Sequence, residues 1–586
     1  MLLSGRCGIL RGMVRSVGAM HVATIKRRHG ERVYESHLIR RSVRDGRRVR
    51  HETIANVSKL PPAALDALRR ALAGQTLVSA DEAFEVERSL PDGHVAAVLT
   101  AARRLELARL LDRAPSRERS LVVAMIAQRL IDPGSKLACA RGLGRSTLAS
   151  ELDVAGADED DLYAALDWLA ERQQGIERRL ARRHLKAGEL ALYDLSSSYF
   201  EGRTCPLAAL GYSRDGRRGT LQIVYGLLTD RAGRPVAVEV FDGNVHDHQT
   251  VPAQLDKLRS RFGLGELVLV ADRGMVTRAN LDAIRDVDGL EWITALKAPQ
   301  VKRLARAGAF QPSLVDEHNL AAITSDEFPD ERLVVCRNPL VAAERARKRE
   351  ALLAATEADL EPIGERVVAG RLTEAAEIGL AVGEVIKRHR VKKHFALEIS
   401  DGHFTYQRKG ERIAEEAALD GIYVLRTSVA AARLDAPDVV RAYKQLKEVE
   451  RDFRVLKGPQ LEIRPIHHRL EHRVRAHVFL CTLALYVEWH LRHAWRELTF
   501  ADEHPPDRPD PVAKATRSPA AQRKATSKTT GAGLPAHTVR ELLADLATQT
   551  RNTIRVADSP ATFTKTTRPT PLQARALELA DTIAIQ

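Results

Sequence analysis

Aromatic residues and cysteines are scarce in this chain, and long apolar runs are missing. Aromatics make up 4% of the 586 residues, so the core must be built mainly from alanine, leucine and valine. The five cysteines are widely spaced and form no C-x-x-C pair, which argues against a disulfide framework or structural zinc and for a reducing compartment. The longest apolar run, 478–487, is too short for a membrane span and predicts a buried helix.

Positive charge, in contrast, is in excess. The 91 Lys and Arg against 77 Asp and Glu leave a formal charge of +14, which favours nucleic acid over membrane as a partner. Residues 21–60 contain eleven basic and four acidic residues, a net +7 in a short segment. Such density predicts contact with a phosphate backbone rather than a merely solvated surface. The residues that we assign to DNA here are Arg40, Arg41, Arg44, Arg47 and Arg48.

The N-terminal third divides into three segments. Residues 1–20 contain no acid and resemble either a transit peptide or, as we favour, a mis-assigned leader with translation starting at Met13 or Met20. In 21–60, strand-like runs flank Asp45-Gly46, which predicts a basic β-hairpin. Residues 61–187 have helical periodicity and are interpreted as a DNA-binding or dimerisation region.

From residue 188 onward, short apolar runs alternate with helical segments, which predicts an α/β fold with a mixed sheet. We divide it into 188–297 and 435–500 as the two halves of one domain, with 298–434 as a partly helical insertion. Residues 501–536 hold six prolines and are interpreted as a flexible linker before a C-terminal segment, 537–586.

Two aspartates stand at the ends of predicted buried strands. Asp194 follows Leu-Ala-Leu-Tyr, and Asp272 follows Leu-Val-Leu-Val-Ala. A carboxylate there is costly unless it is paired, hydrogen-bonded or bound to metal, and ligands bind at this edge of open α/β sheets. Either residue alone could simply be a turn residue, but two in one sheet favour a metal site.

A third carboxylate, Glu450, lies in a charged helical segment. Tyr443 and Lys457 are each seven residues from it, so the three share one helical stripe, with Lys447 and Arg454 on the same side. The alternative is a solvated row of salt bridges. Oxygen ligands suit Mg²⁺ or Mn²⁺, and two such ions can support phosphodiester cleavage.

These carboxylates and their surroundings resemble the bacterial DDE transposases of the insertion-sequence-four type. Tyr443, Glu450 and Lys457 match the family signature Y-x2-R-x3-E-x6-K, whereas Leu446 replaces its arginine beside Lys447. The segments around both aspartates, 211–216 and 241–248 also look like the family. The likeness covers about 190–495, and the hairpin resembles the start of related insertion-sequence proteins.

The resemblance implies a ribonuclease-H-like α/β core with an inserted subdomain, preceded by the basic β-hairpin and the helical region. It implies that Asp194, Asp272 and Glu450 are catalytic and hold Mg²⁺, with Mn²⁺ as a substitute. It further implies DNA contacts from Tyr443, Lys457 and Lys447 or Arg454. No covalent protein–DNA intermediate is expected, because activated water replaces a side-chain nucleophile.

The implied function is cleavage at terminal inverted repeats and strand transfer into target DNA, in cut-and-paste fashion, by a homodimer that pairs two element ends. The implied location is the bacterial cytoplasm, at the nucleoid and away from membranes. Two alternatives stay open at this point. One is an inactive or domesticated transposase that only binds DNA, and the other is a ribonuclease-H-like, structure-specific nuclease.

Other signals were weighed and set aside. His468 and His472 are spaced as zinc ligands can be, but no H-E-x-x-H motif or cysteine partner accompanies them. Ser196–Ser198 lack the G-x-S-x-G elbow of serine hydrolases.

Overall fold

The structure, a computed structural model, describes residues 17–45, 48–75, 83–202, 204–263, 266–275, 278–285, 289–315, 318–557 and 559–585. The chain forms two compact units, one of Met1–Ser89 with Asn552–Lys565 and one of Leu90–Arg551 with Thr566–Gln586. Arg47 and most of the predicted leader, 1–20, lie outside the described residues. Residues 17–20 belong to the first strand.

The first unit begins with a three-stranded antiparallel sheet of β1 (Val17–His29), β2 (Arg32–Asp45) and β3 (Arg48–Asn56), followed by helix α1 (Pro62–Leu72). The predicted hairpin is confirmed as β2 and β3, where Asp45 lies opposite Arg48. β1 adds a third strand, which pairs along the length of β2.

A second small sheet joins distant parts of the chain. β4 (Phe84–Pro91) pairs with β15 (Thr550–Val556), which pairs with β16 (Thr562–Thr566). Phe84 and Phe563 meet edge to face, with ring centroids 5.9 Å apart. The C-terminal segment therefore returns to residues near the N-terminus, which the sequence did not indicate.

The large unit opens with helices α2 (Gly93–Arg104), α3 (Leu107–Leu111), α4 (Arg117–Ile131), α5 (Lys136–Leu143), α6 (Leu148–Glu151) and α7 (Glu159–His184). Ser116, Ser135 and Asp158 cap α4, α5 and α7, each accepting a backbone N–H from three residues ahead. Their apolar faces share one core with the central sheet. The proposed helical region 61–187 is therefore not packed as a separate module.

The central sheet contains β5 (Leu190–Tyr199), β6 (Gln222–Asp230), β7 (Pro235–Phe241), β8 (Leu267–Ala271) and β9 (Leu290–Ala295). β5, β6 and β7 are antiparallel neighbours, whereas β8 runs parallel to β5 and β9 parallel to β8. The spatial order β7-β6-β5-β8-β9 is the arrangement of a ribonuclease-H-like core, which confirms the predicted fold class.

Helices cover this sheet. They are α8 (Asp247–Asp256), α9 (Arg278–Arg285), α14 (Ala436–Lys444), α15 (Leu446–Lys457) and α16 (Glu471–Ala494). α16 is buried almost continuously from Val474 to Arg492, as the apolar run at 478–487 predicts. Within the described residues, no helix is both long and apolar enough to cross a membrane.

The insertion, 298–434, both extends the sheet and adds a subdomain. It contains α10 (Ala298–Arg306), β10 (Leu320–Ile323), β11 (Arg332–Arg337), α11 (Pro339–Val368), α12 (Ala375–His389), β12 (Phe395–Ser400), β13 (His403–Arg408), α13 (Gly410–Ala417) and β14 (Ile422–Thr427). β14, β11 and β10 continue the sheet beyond β9. α11, α12 and β12–β13 enclose their own apolar core.

Residues 501–536 differ from the predicted flexible linker. They include helix α17 (Pro519–Ser527), and its Lys524 is buried. The Lys524 ammonium donates to the carbonyls of Thr499 at 2.8 Å and Ala501 at 3.1 Å and pairs with Glu503 at 2.7 Å. These bonds fix the proline-rich segment against the end of α16. Helices α18 (Val539–Leu546) and α19 (Pro571–Asp581) then complete the core.

Candidate active site

Asp194 and Asp272 lie side by side on neighbouring parallel strands. The register places Tyr193 beside Ala271, so the next residues on each strand are the two aspartates. Asp272 directly follows β8, as predicted. Asp194 does not end its strand, because antiparallel pairing with β6 carries β5 on to Tyr199 after β8 has ended. That sequence prediction is wrong, although the expected juxtaposition is present.

The electrostatics of this pair are unfavourable without a cation. Burial, followed by the nearby charges of Asp272 and Glu450, raises the pKa of Asp194 to about 7 against the opposing effects of the Leu195 N–H and Arg214. The Leu195 amide donates to Asp194 Oδ1 at 2.8 Å. The charges of one neighbouring strand-end aspartate and of Glu450 on its helix thus both reach Asp194, and a bound cation would relieve this repulsion.

Tyr443 holds the second aspartate. Its hydroxyl donates to Asp272 Oδ1 at 3.2 Å, and burial together with the Asp272 charge raises the tyrosine pKa. Tyr443 was predicted to contact DNA. Its observed contact gives it a positioning role as well, because the hydrogen bond orients the Asp272 carboxylate.

The predicted single helical stripe is broken. Gln445 is at once the C-cap of α14 and the N-cap of α15, so Tyr443 lies on one helix and Glu450 and Lys457 on the next. Leu446, at the signature's arginine position, is 8% exposed and packs into the core. An arginine there would bury its charge, which accounts physically for leucine at this place.

Glu450, Lys447 and Arg454 face solvent on α15, which packs against β5. The exposed side-chain fractions of Glu450 and Arg454 are 62% and 69%, and their charged groups are 4.0 Å apart. Lys447 is 67% exposed, 3.8 Å from Glu448. Surface pairs of this kind contribute little to stability, so these cations are free to meet an external phosphate.

Lys457 is placed differently. Its ammonium is 12% exposed and pairs with Asp215 Oδ1 at 2.9 Å. Asp215 is itself 2% exposed, also pairs with Arg464, and accepts the Tyr199 N–H at 3.0 Å. Lys457 therefore ties the end of α15 to the end of β5, which is an internal role beside the predicted DNA contact.

Arg214 is a site residue that the sequence reasoning missed. Its backbone N–H donates to Ser197 Oγ at 2.9 Å, its guanidinium pairs with Asp247, and its charge lowers the pKa of Asp194. Arg214 lies in the segment Gly211-Tyr-Ser-Arg-Asp-Gly, which the sequence analysis assigns to the family resemblance without giving its arginine a role. His472, once weighed as a zinc ligand, instead lies 3.2 Å from Asp167.

The residues present fit a divalent cation in part. Asp194 and Asp272 offer hard carboxylate oxygens, which Mg²⁺ and Mn²⁺ prefer, and their mutual repulsion favours a cation between them. Glu450 stands outside the pair with an exposed side chain. Accordingly, no three His, Cys, Asp or Glu side chains among the described residues are grouped closely enough to enclose an ion.

A basic cleft of about 700 Å³ is lined in part by Arg273, the residue that follows Asp272 in the chain. Arg285 and Arg426 bind Glu331 in its wall, with Arg285 Nη2 3.2 Å from Glu331 Oε1. The remaining lining cations include Arg273 and Lys297, for which no carboxylate partner exists in the described part of the chain. The cleft is therefore net positive.

The basic residues of the first unit are displayed on the β1–β3 sheet. Arg44 and Arg48 are exposed, whereas Arg40 and Arg41 are half-buried. Arg41 binds Glu52 at 2.7 Å, which neutralises part of its charge. Of the predicted DNA contacts here, Arg44 and Arg48 are therefore the most available.

Two family models match the chain and together span more than half of it. One, described as a transposase DDE domain, matches residues 203–487 and includes Asp272 and Glu450. The other, described as the N-terminal domain of IS1634 family transposases, matches residues 22–85. No curated protein sequence matches the chain. Among solved structures, the chain is similar to one titled as a cryo-EM structure of a piggyBac transposase synaptic complex with hairpin DNA. The match covers 78% of this chain and 80% of that chain, with 9% sequence identity and a TM-score of 0.33.

Proposed function

The chain belongs to the DDE transposases of bacterial insertion sequences, and on that premise we propose that it binds the terminal inverted repeats of its element and catalyses Mg²⁺-dependent DNA cleavage and strand transfer. It is a DNA transposase enzyme, and DDE domains generally depend on a divalent metal. The proposal adds the choice of Mg²⁺, the triad Asp194, Asp272 and Glu450, and a homodimer that pairs two element ends at the nucleoid.

The observation that carries this proposal is the aspartate pair on β5 and β8, with the helix of Glu450 packed against β5. When bound there, divalent ions would supply activation of the attacking hydroxyl and stabilisation of the departing oxygen. Water attacks the phosphodiester, the phosphorus–O3′ bond breaks, and the freed 3′-hydroxyl later attacks the target phosphodiester in the same way.

The protein's own groups orient these reactants. Tyr443 fixes the Asp272 carboxylate, and Glu450 supplies the third carboxylate from the solvent side of α15. Lys447 and Arg454, being exposed beside Glu450, bind backbone phosphates next to the scissile bond. Arg273 and Lys297 extend this path along the basic cleft.

The experiment for this function uses a labelled duplex carrying the element's own end, read from the DNA flanking the gene, with Mg²⁺ or with EDTA. We expect cleavage at the repeat boundary with Mg²⁺ and none with EDTA. Cleavage that persists when the repeat is scrambled would identify a structure-specific nuclease. Tight binding without any cut would identify a DNA-binding protein that has lost activity.

The first unit is expected to contribute electrostatic DNA affinity. Changing both Arg44 and Arg48 to Gln removes two exposed cations, and each lost phosphate contact reduces the slope of log affinity against log salt by about 0.9. We therefore expect the slope to fall by about 1.8. Titration of a fluorescent end duplex over a range of salt concentrations measures it.

The control for this pair is Lys26→Gln on the same sheet. The Lys26 ammonium already pairs with Glu35 at 2.5 Å, so its removal should change the slope little. An unchanged slope in the double arginine variant would show that the β1–β3 sheet does not contact the phosphate backbone.

A further inference from the structure

A small cavity in the large unit gathers positive side chains that the proposed catalysis does not use. It has a volume of about 170 Å³ and lies among the end of α4, the start of α5, α7, the 462–468 loop and α16. Its basic lining includes Arg129, Lys136, His468 and His477. We propose that this cavity is a binding site for a phosphate group.

The charge in this cavity is buried and uncompensated. Lys136 is 4% exposed and Arg129 6% exposed. Arg129 donates to the Gly134 carbonyl at 2.9 Å, but no carboxylate in the described chain pairs with either cation. Glu462 is the lining carboxylate, and its side chain is exposed at the rim without an ion pair to them. An unpaired buried ammonium is costly, which makes an external counter-ion the simplest compensation.

Burial, and then mutual repulsion, disfavour the charged forms of the groups in the cavity. Burial, and then the charge of Arg129, lowers the pKa of Lys136 to about 8, so the ammonium still predominates at neutral pH. Burial, and then Lys136 and Arg129, lowers the pKa of His468 to about 3. Burial, and then the charge of Lys136, also lowers the pKa of His477. A bound anion would favour the charged form of Lys136 and offset its repulsion with Arg129.

The start of α5 also favours an oxyanion. Ser135 caps α5, and Ser135 and Lys136 both line the cavity, so the N-terminus of this helix, which favours phosphate, borders it. His477 Nε2 donates to the Ile463 carbonyl at 3.0 Å, so the buried Nδ1 of this ring is an acceptor and adds no donor to the site. The two buried cations beside this helix start suit an oxyanion better than a neutral ligand.

The cavity also has a physical link to the catalytic helix. Arg464 lines it and pairs with Asp215, which in turn binds Lys457 at the end of α15. A phosphate held here is therefore two ion pairs away from the helix that carries Glu450. The ligand could be a DNA phosphate or free inorganic phosphate, and the chemistry of the site is the same for both.

Calorimetric titration of the full-length protein with inorganic phosphate, at constant ionic strength, tests this site without any cleavage assay. We expect one phosphate per chain at millimolar or lower concentration, and a higher unfolding temperature in its presence. Lys136→Met should weaken binding by about tenfold or more, and Lys136→Arg should retain most of it. Lys186→Met, which removes an exposed lysine of the same unit, should leave phosphate binding unchanged.

The proposal is overturned if the parent protein shows neither heat nor thermal stabilisation with phosphate, or if Lys136→Met binds phosphate as tightly as the parent. Thermal unfolding followed by circular dichroism distinguishes loss of phosphate binding from loss of fold. Removing an unpaired buried charge should not lower the unfolding temperature of Lys136→Met. Titration with end duplex shows whether the bound phosphate belongs to DNA or is a free anion. Weaker DNA binding by Lys136→Met, together with competition by inorganic phosphate, indicates a DNA phosphate. Unchanged DNA binding by this variant indicates a free anion. Since phosphate alone is the probe, failure of the proposed function would leave this result standing.

Discussion

Asp272→Asn is expected to abolish DNA cleavage, lowering the rate at least about a thousandfold while leaving the fold and DNA affinity close to those of the parent. The amide has the same shape, and its oxygen can still accept the Tyr443 O–H bond. What the substitution removes is the negative charge beside Asp194 that attracts a divalent cation. Single-turnover cleavage of an end duplex with Mg²⁺ measures the rate, and salt-dependent titration measures the affinity.

Asp242→Asn is the matched control for this change. Asp242 follows β7, which runs parallel to β5, so Asp242 lies at the same edge of the sheet as the aspartate pair. It is exposed, and its strand is three positions from β8 in the sheet. Its cleavage rate should stay within about twofold of the parent, as for a surface substitution. If Asp272→Asn cleaves within tenfold of the parent, the aspartate pair is not the catalytic centre.

Arg492→Met is expected to destabilise the large unit by about 3–5 kcal/mol, because it strands two buried carboxylates. Arg492 lies on α16, 3.2 Å from Asp452 and 3.7 Å from Glu488, and all three side chains are under 10% exposed. Burial raises the pKa of both carboxyl groups, and the charge of Arg492 opposes that rise in each of them. Since Asp452 lies on α15, the loss should also disturb the helix that carries Glu450.

Urea denaturation followed by circular dichroism measures this effect. Arg496→Met removes an exposed arginine just beyond α16 and should change stability by no more than about 0.5 kcal/mol. Adding Asp452→Asn to Arg492→Met should recover part of the loss, because one stranded charge is then neutral. A single Arg492→Met variant as stable as the parent would mean that this cluster does not anchor α15.

The sequence was most informative where local signals and function coincide. The apolar runs before Asp194 and Asp272 predicted two neighbouring strands, and Asp-Gly at 45–46 predicted the hairpin. These signals depend on residues adjacent in the chain, so periodicity and turn chemistry suffice to find them. The three carboxylates were grouped as one functional set because their order and spacing resemble those of a known family. Helix and strand geometry alone did not group them.

The features that the sequence did not predict depend on contacts between distant residues. The pairing of β4 with β15 joins residues more than 450 positions apart, and the ion pair of Lys457 with Asp215 spans more than 200. The six prolines of 501–536 suggested a flexible linker, but the buried Lys524 fixes the segment through carbonyls that its own sequence does not reveal. The helix break at Gln445 likewise has no proline or glycine to mark it.

Whether Glu450 completes the catalytic set with Asp194 and Asp272 is decided by measuring DNA cleavage by Glu450→Gln. The variant is compared with the parent and with Glu448→Gln, which removes a carboxylate from the same helix, on an end duplex with Mg²⁺. We expect Glu450→Gln to bind the duplex normally but not to cut it, and Glu448→Gln to cut at the repeat boundary. Cleavage by Glu450→Gln at the parental rate would show that the exposed glutamate is an ordinary surface residue and no part of the catalytic set.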